Sequence, residues 1–225
     1  MSNLRPVIAA LLIIGVITMA CPQQPQPRED ARDLIQLPEP QLDGEMSVEA
    51  AIEARRSVRQ FADEALTLQE IGQLAWAAQG ITDEGRGLRA TPSAGATYPL
   101  QILLVTAESV SLYRPEAHAL EPHITGDRRD ALAQAALGQD SVRTAPLVIA
   151  VTALYERTAG LYGPRAERYV HMEVGHLGQN VHLQAVALGL GSVPIGAFDD
   201  GQVAECLGVV GGYVPLYLIP VGHPR

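Results

Sequence analysis

The stretch that most constrains this chain is residues 165–188, where Val170, Val174, Leu177, Val181 and Leu188 recur near one helical face. At 1.5 Å per residue that helix is roughly 36 Å long. An apolar stripe of such length has to be buried, so the segment is read as the central helix of the fold. Residues 146–154 are continuously apolar and partly β-branched, as expected of a central strand with both faces covered. Ser47 can cap a helix over 48–55. Thr67 and Glu70 make a capping box ahead of the stripe Ile71, Leu74, Ala75 and Ala78, with Gly80 as C-cap. Residues 82–90 read as a mobile loop, 100–106 as a buried strand, and 110–114 with 119–121 as a hairpin. Residues 127–137, capped by Asp127, and 199–207 read as helices; 192–197 reads as a short strand or extended loop and 213–221 as a strand. Hairpin signals coexist with crossovers, so the class is α+β.

Composition bounds the function. A chain of 225 residues with 47% hydrophobic content supports one core of roughly 150 to 200 residues, so a single folded domain is expected over 46–225. The net charge of −9 repels polyanions over most of the surface and excludes nucleic acid as a partner. An aromatic content of 4% leaves too few rings for base-stacking platforms. Cys21 and Cys206, far apart in sequence, provide neither a disulfide framework nor a cysteine metal site.

Residues 1–21 have the form of a signal peptide. Arg5 precedes an apolar run over 7–17, and the segment closes on Thr18-Met19-Ala20-Cys21. The run is too short to span a bilayer, and a small residue directly before a cysteine resembles a lipobox, which makes Cys21 the lipidated N-terminus. The protein is therefore expected to be an exported bacterial lipoprotein, anchored to a membrane through its lipid. Thr18 stands where an aliphatic residue is usual, which leaves uncleaved anchoring and plain secretion open. Residues 22–45, rich in Pro and Gln, read as a tether, the alternative being an arm that wraps a partner subunit.

Three motifs carry chemistry. In Arg55-Arg56-Ser57-Val58-Arg59, three guanidinium groups and a hydroxyl lie within five residues at a helix end, where they can converge on a phosphate or merely offset the negative end of the helix. The second motif is Thr91-Pro92-Ser93-Ala94-Gly95-Ala96-Thr97-Tyr98-Pro99, on a loop entering a core strand. The third is Gly189-Leu190-Gly191-Ser192-Val193-Pro194-Ile195-Gly196. A metal site on the long helix is rejected because His171 and Glu173 point about 160° apart, leaving only Glu173 and His176 on a shared face. A serine hydrolase is rejected because Thr91 stands where Gly-x-Ser-x-Gly requires glycine.

In this order the three motifs resemble the nitroreductase family, and within it the SagB-type dehydrogenases, over about residues 45–225. The resemblance implies a central mixed, mainly antiparallel sheet flanked by helices, and a homodimer with FMN at the subunit interface. It implies that Arg55, Ser57 and Arg59 hold the FMN phosphate and ribityl chain with support from Arg56. Pro92, Ser93, Ala94 and Gly95, from the other subunit, would lie beside the flavin ring, and Pro194, Ile195 and Gly196 would present backbone groups near N5. Of the basic residues the family places beyond the last strand, only Arg225 remains. Family members that oxidise azolines carry a Lys-Tyr pair where this chain has Leu161-Tyr162. The expected base is missing, and Tyr162 is the candidate catalytic side chain. The activity implied is two-electron transfer between a small-molecule donor and an organic acceptor. The alternative is a lipoprotein that keeps the fold as a non-catalytic binding or assembly module. Ser2-Asn3-Leu4-Arg5 lacks a twin arginine, so export would proceed unfolded and FMN would be acquired outside.

Overall fold

The computed structural model describes residues 34–225, so the expected signal segment, Cys21 and residues 22–33 of the expected tether lie outside the described residues. In chain order the elements are β1 (Ile35–Gln36), α1 (Val48–Ala54), α2 (Leu68–Gln79), β2 (Ile81–Asp83), β3 (Leu88–Arg89), β4 (Leu100–Val105), β5 (Ser109–Arg114) and β6 (Ala119–Thr125). They continue as α3 (Arg129–Ala135), α4 (Asp140–Thr144), β7 (Leu147–Ala153), α5 (Tyr155–Tyr162), α6 (Ala166–Ala187), β8 (Gly191–Ser192), α7 (Asp200–Cys206) and β9 (Val214–Gly222).

Seven strands form one sheet in the order β1-β6-β5-β4-β7-β9-β8, and every ladder in it is antiparallel. A parallel contact enters through the bridge between Ser57 and Ser192. Successive strand residues face opposite sides of the sheet, and here both sides are covered. Ile102, Leu104, Leu147, Ile149, Val151, Ile219 and Val221 pack with α2 and α6. Leu103, Val105, Val148, Ala150 and Leu218 pack with α3, α4 and α7. That is why 147–153 carries no polar alternation and why all seven of its residues are buried. The long helix is α6, 22 residues, with Val170, Val174, Leu177 and Val181 buried on the sheet as the spacing requires.

The structure departs from the sequence reading in three places. Residues 34–45 are not free chain: β1 pairs with β6, Leu37 is 2% exposed, and Gln73 binds the backbone of Gln41 through both its amide atoms at 2.8 and 2.9 Å. His118 fixes the same segment, donating from Nε2 to the carbonyl of Pro38 at 2.9 Å, which leaves Nδ1 to accept from the Tyr113 hydroxyl. The folded domain thus begins before residue 46, because Leu37 supplies apolar surface that α2 needs. Residues 82–90 contribute to a β2–β3 hairpin rather than a mobile loop. Gly80 is the C-cap of α2 as read, although its backbone there is extended (φ −61°, ψ 151°) and not left-handed. It is glycine because a Cβ there would lie 2.2 Å from the Trp76 ring. Finally, α4 and α5 were not signalled, and Asp127 accepts from the Arg129 backbone N–H while Arg128 takes the N-cap position.

If 34–45 is structural, Leu37→Ala should cost roughly 3 kcal/mol, the usual loss for a buried Leu truncated to Ala. Urea denaturation measures it; an unchanged midpoint would mean that the segment is a tether after all.

Candidate active site

The first and third motifs meet. Arg55 is the C-cap of α1, after which the chain turns extended, so that the Val58 N–H donates to the Ser192 carbonyl at 3.0 Å and Ser57 bridges Ser192. Gly191 makes this approach possible, since a Cβ there would lie 2.6 Å from that of Val58. From the other side, the Arg225 N–H donates to the Gln60 carbonyl at 3.2 Å and Phe61 bridges Pro224. The last residue of the sequence therefore sits beside Arg59 and Gln60, a proximity that sequence alone did not reveal.

The arginines divide by role. Arg56 donates to the carbonyls of Glu53 and Arg55, both at 2.7 Å; it closes the C-terminal end of α1 and supports Arg55 through its backbone. Arg55 is half-buried and reaches Nε2 of His182 on α6 at 3.5 Å. An arginine can only donate, so Nε2 accepts, and Nδ1 carries the proton and donates to Ser192 Oγ at 2.7 Å. Burial first, then the Arg55 charge, push the His182 pKa down, which keeps it in the neutral form this arrangement needs. Among the described residues, none of Arg55, Arg59 and Arg225 pairs with a carboxylate. Those unpaired cations, joined by the Ser57 hydroxyl, form a donor set suited to a dianionic phosphate.

Of the backbone groups expected from the third motif, one N–H is available among the described residues. Pro194 has none, and Ile195 exchanges both backbone bonds with Leu218, at 2.7 and 3.0 Å. Gly196 is exposed, and among the described residues its N–H has no partner. Tyr217 on β9 fits between Gly196 and Gly178 of α6, where a Cβ at Gly178 would meet the ring at 2.9 Å.

The second motif stands apart. Among the described residues no hydrogen bond joins residues 91–99 to the arginine cluster or to 191–196. Thr91 is anchored instead to α2 and α6, donating to the Ala78 carbonyl at 2.7 Å and accepting from Asn180 at 3.3 Å. Gly95, Ala96 and Tyr98 all have positive φ (59°, 52° and 43°). For Ala and Tyr this is strained by about 1 kcal/mol or more each, strain that collects at functional sites. Ser93 Oγ, accepting from the Tyr98 N–H at 3.0 Å, and the Thr97–Thr158 hydroxyl pair at 2.9 Å hold the turn. A Cβ on Gly95 would lie 2.6 Å from Leu161 and 2.9 Å from the Tyr162 hydroxyl, so the bare backbone leaves a cradle over α5. Tyr162 is half-buried with its ring edge-on to Tyr169. Among the described residues its hydroxyl has no hydrogen-bond partner, which separates it from an ordinary core tyrosine.

Two further groups escaped the motif search. His182 could not be placed, because nothing in its neighbours announces a contact with Arg55, 127 residues away. Glu173 and His176, which helical spacing puts on one side, separate: Glu173 is buried and His176 exposed. Burial dominates at Glu173 and raises its pKa to about 7 against lowering by Ser93, Gln79 and Arg89.

Comparison with known proteins bears on the family and the fold. The model of the nitroreductase family matches residues 52–223. A protein of Methanocaldococcus jannaschii that bears the nitroreductase name is 45% identical over 195 residues, covering 84% of this chain and 96% of its own length. The microcin B17-processing protein McbC of Escherichia coli is 28% identical over 154 residues, 63% of this chain and 56% of that protein. Among solved structures, a nitroreductase-type protein from Ralstonia eutropha superposes with a TM-score of 0.78 at 27% identity, covering 85% of this chain and 90% of the other. The NADPH:FMN oxidoreductase of Vibrio harveyi, complexed with NAD+, superposes with a TM-score of 0.59 at 25% identity, covering 79% and 69%. The motif order, the all-antiparallel sheet with α6 across it and these matches agree: the chain belongs to the nitroreductase family of oxidoreductases.

Proposed function

We propose that the protein is an FMN-dependent oxidoreductase of the SagB-type branch, moving two electrons between a reduced donor and a small organic acceptor. The observation that carries this reading is the seating of the 55–59 motif on Ser192, with Arg55 linked to Ser192 through His182 and Arg225 bonded by its backbone to Gln60, the cations of Arg55, Arg59 and Arg225 having no carboxylate partner among the described residues of a chain with net charge −9. The name of the Vibrio harveyi neighbour supports FMN, and the likeness to McbC supports the branch. When bound, FMN supplies hydride exchange at N5 between donor and acceptor. Arg55 and Arg59 bind its phosphate by charge-assisted bonds, Ser57 adds a hydroxyl, Arg56 steadies Arg55, and Arg225 adds a cation at the rim. Gly196 offers its N–H to developing negative charge beside Pro194 and Ile195. Pro92, Ser93, Ala94 and Gly95 present a small-residue surface on which a flat ring can lie. Tyr162 orients the acceptor or gives it a proton.

A homodimer completes this arrangement. The second motif shares no bond with the arginine cluster in one chain, and α1 leaves Val48 and Ile52 65% and 55% exposed; a second copy would bring the loop to the cluster and cover those side chains. The purified domain should be yellow or take up FMN, and should run as a dimer on sizing. Arg55→Ala should weaken FMN binding about 30-fold, the equivalent of roughly 2 kcal/mol. A colourless protein that takes up no flavin would leave the non-catalytic binding module as the reading.

The chain should not oxidise azolines. That reaction removes a proton from carbon as hydride leaves, and a positioned base contributes about 10²- to 10⁴-fold. Leu161, 62% exposed and beside Gly95, occupies the position at which the resemblance to azoline-oxidising members implies the base, and it cannot take a proton. A model azoline assay should find no turnover with the unmodified protein and a gain with Leu161→Lys; turnover by the unmodified protein refutes this.

We also propose that the domain works outside the cytoplasmic membrane, held by a lipid on Cys21, on the strength of the Arg5 to Cys21 sequence. A membrane-linked or small-molecule donor then replaces a nicotinamide. Protease added to spheroplasts should digest the domain, and protection there would place it inside.

A further inference from the structure

Glu173 lies beneath the second motif and is 2% exposed. Three elements face it: α2 with Gln79, itself 1% exposed, the 92–95 loop with Ser93, and β3 with Arg89. Arg89 is the charged group acting on it among the described residues. That guanidinium is also engaged elsewhere, donating to Gln79 Oε1 at 3.3 Å, pairing with Glu116 at 2.8 Å and stacking 4.6 Å from the Tyr98 ring centre. It therefore neutralises Glu173 only in part. Ser93 and Gln79 approach the Glu173 carboxyl closely enough to favour its charged form by hydrogen bonding, yet Glu173 Oε1 and Gln79 Nε2 make no bond of normal geometry among the described residues. Buried polar groups in native proteins are nearly always well paired, and so loosely held an acid calls for an explanation. Ser93 Oγ accepts from the Tyr98 N–H, so its O–H is the part free to face Glu173.

We propose that Glu173 is the proton store of the redox site, a positioning residue that takes up or releases one proton by way of the Ser93 hydroxyl as the charge of the bound flavin changes. The proposal rests on the flavin reading above. Were a bound flavin to gain negative charge from the donor, the Glu173 carboxylate would take one proton from water; an O–H bond would form and one charge would be neutralised. When the acceptor takes the electrons, that O–H bond breaks and the proton returns to water. The burial that holds the Glu173 pKa near 7 places this exchange in the neutral range, where a small change in nearby charge moves the equilibrium.

Two measurements separate this proposal from the flavin reading. Without flavin, the infrared carboxyl band of the protein should titrate near pH 7 and disappear in Glu173→Gln. The linked stability has a definite sign. The unfolded chain releases this proton near 4.5 and the folded chain near 7, so Tm should fall as pH rises through that window, and Glu173→Gln should remove that part of the fall. With FMN bound, one extra proton per two electrons should steepen the midpoint potential above pH 7 by about 30 mV per pH unit. Glu173→Gln should lose the extra slope and Glu173→Asp should keep it, shifted in pH; Asp serves as the test if the Gln variant does not fold. Equal slopes in wild type and Glu173→Gln, both loaded with FMN, would overturn the proposal, as would a carboxyl that titrates near 4.5. Failure of the wild type to bind FMN would overturn the functional reading and the coupling together, with the infrared titration still reporting the acid itself.

Discussion

Everything in this fold depends on the seating of α6 across the antiparallel sheet. Val170, Val174, Leu177 and Val181 are buried along 22 residues of helix against Leu147, Ile149, Val151, Ile219 and Val221. Burying such side chains contributes on the order of 1.5 to 3 kcal/mol each, and the rigid helix then serves as a ruler. Asn180 fixes the second motif through Thr91, His182 holds Arg55 and Ser192, and Glu173 sits under Ser93. Three functional regions far apart in sequence thus take their positions from one element.

Missing side chains set how closely the backbones approach. Gly191 lets the extended chain after α1 lie on β8, where the Val58 side chain would otherwise collide with a Cβ, and Gly95 leaves space over Leu161 and Tyr162. Each contact places a segment of the candidate site within reach of side chains that cannot move far, because the surrounding core is packed on both faces of the sheet.

Electrostatics separates the two ends of the candidate site. Beside the arginine cluster, burial and a neighbouring cation keep His182 neutral, so it can accept from Arg55 without competing for an anion. Beneath the second motif, burial outweighs a partly engaged arginine and raises the Glu173 pKa to about 7. The low dielectric of one core thus favours the neutral form of a base and of an acid, and both neutral forms suit an anionic ligand.

Sequence by itself determined the elements whose signal is local. The stripe on α6, the unbroken apolar run of β7 and the Thr67–Glu70 capping box are each written in residues a few positions apart, and each appears in the structure. Secondary-structure periodicity and caps depend on near neighbours, so they survive without a fold. Only the tertiary structure decided that Leu37 belongs to the core, that Arg225 lies beside Gln60, that His182 meets Arg55, and that the Ile195 N–H is taken by the Leu218 carbonyl. Those facts depend on which strand lies beside which and which donor is already taken, and such pairings join residues tens to more than a hundred positions apart, where no local pattern carries the information.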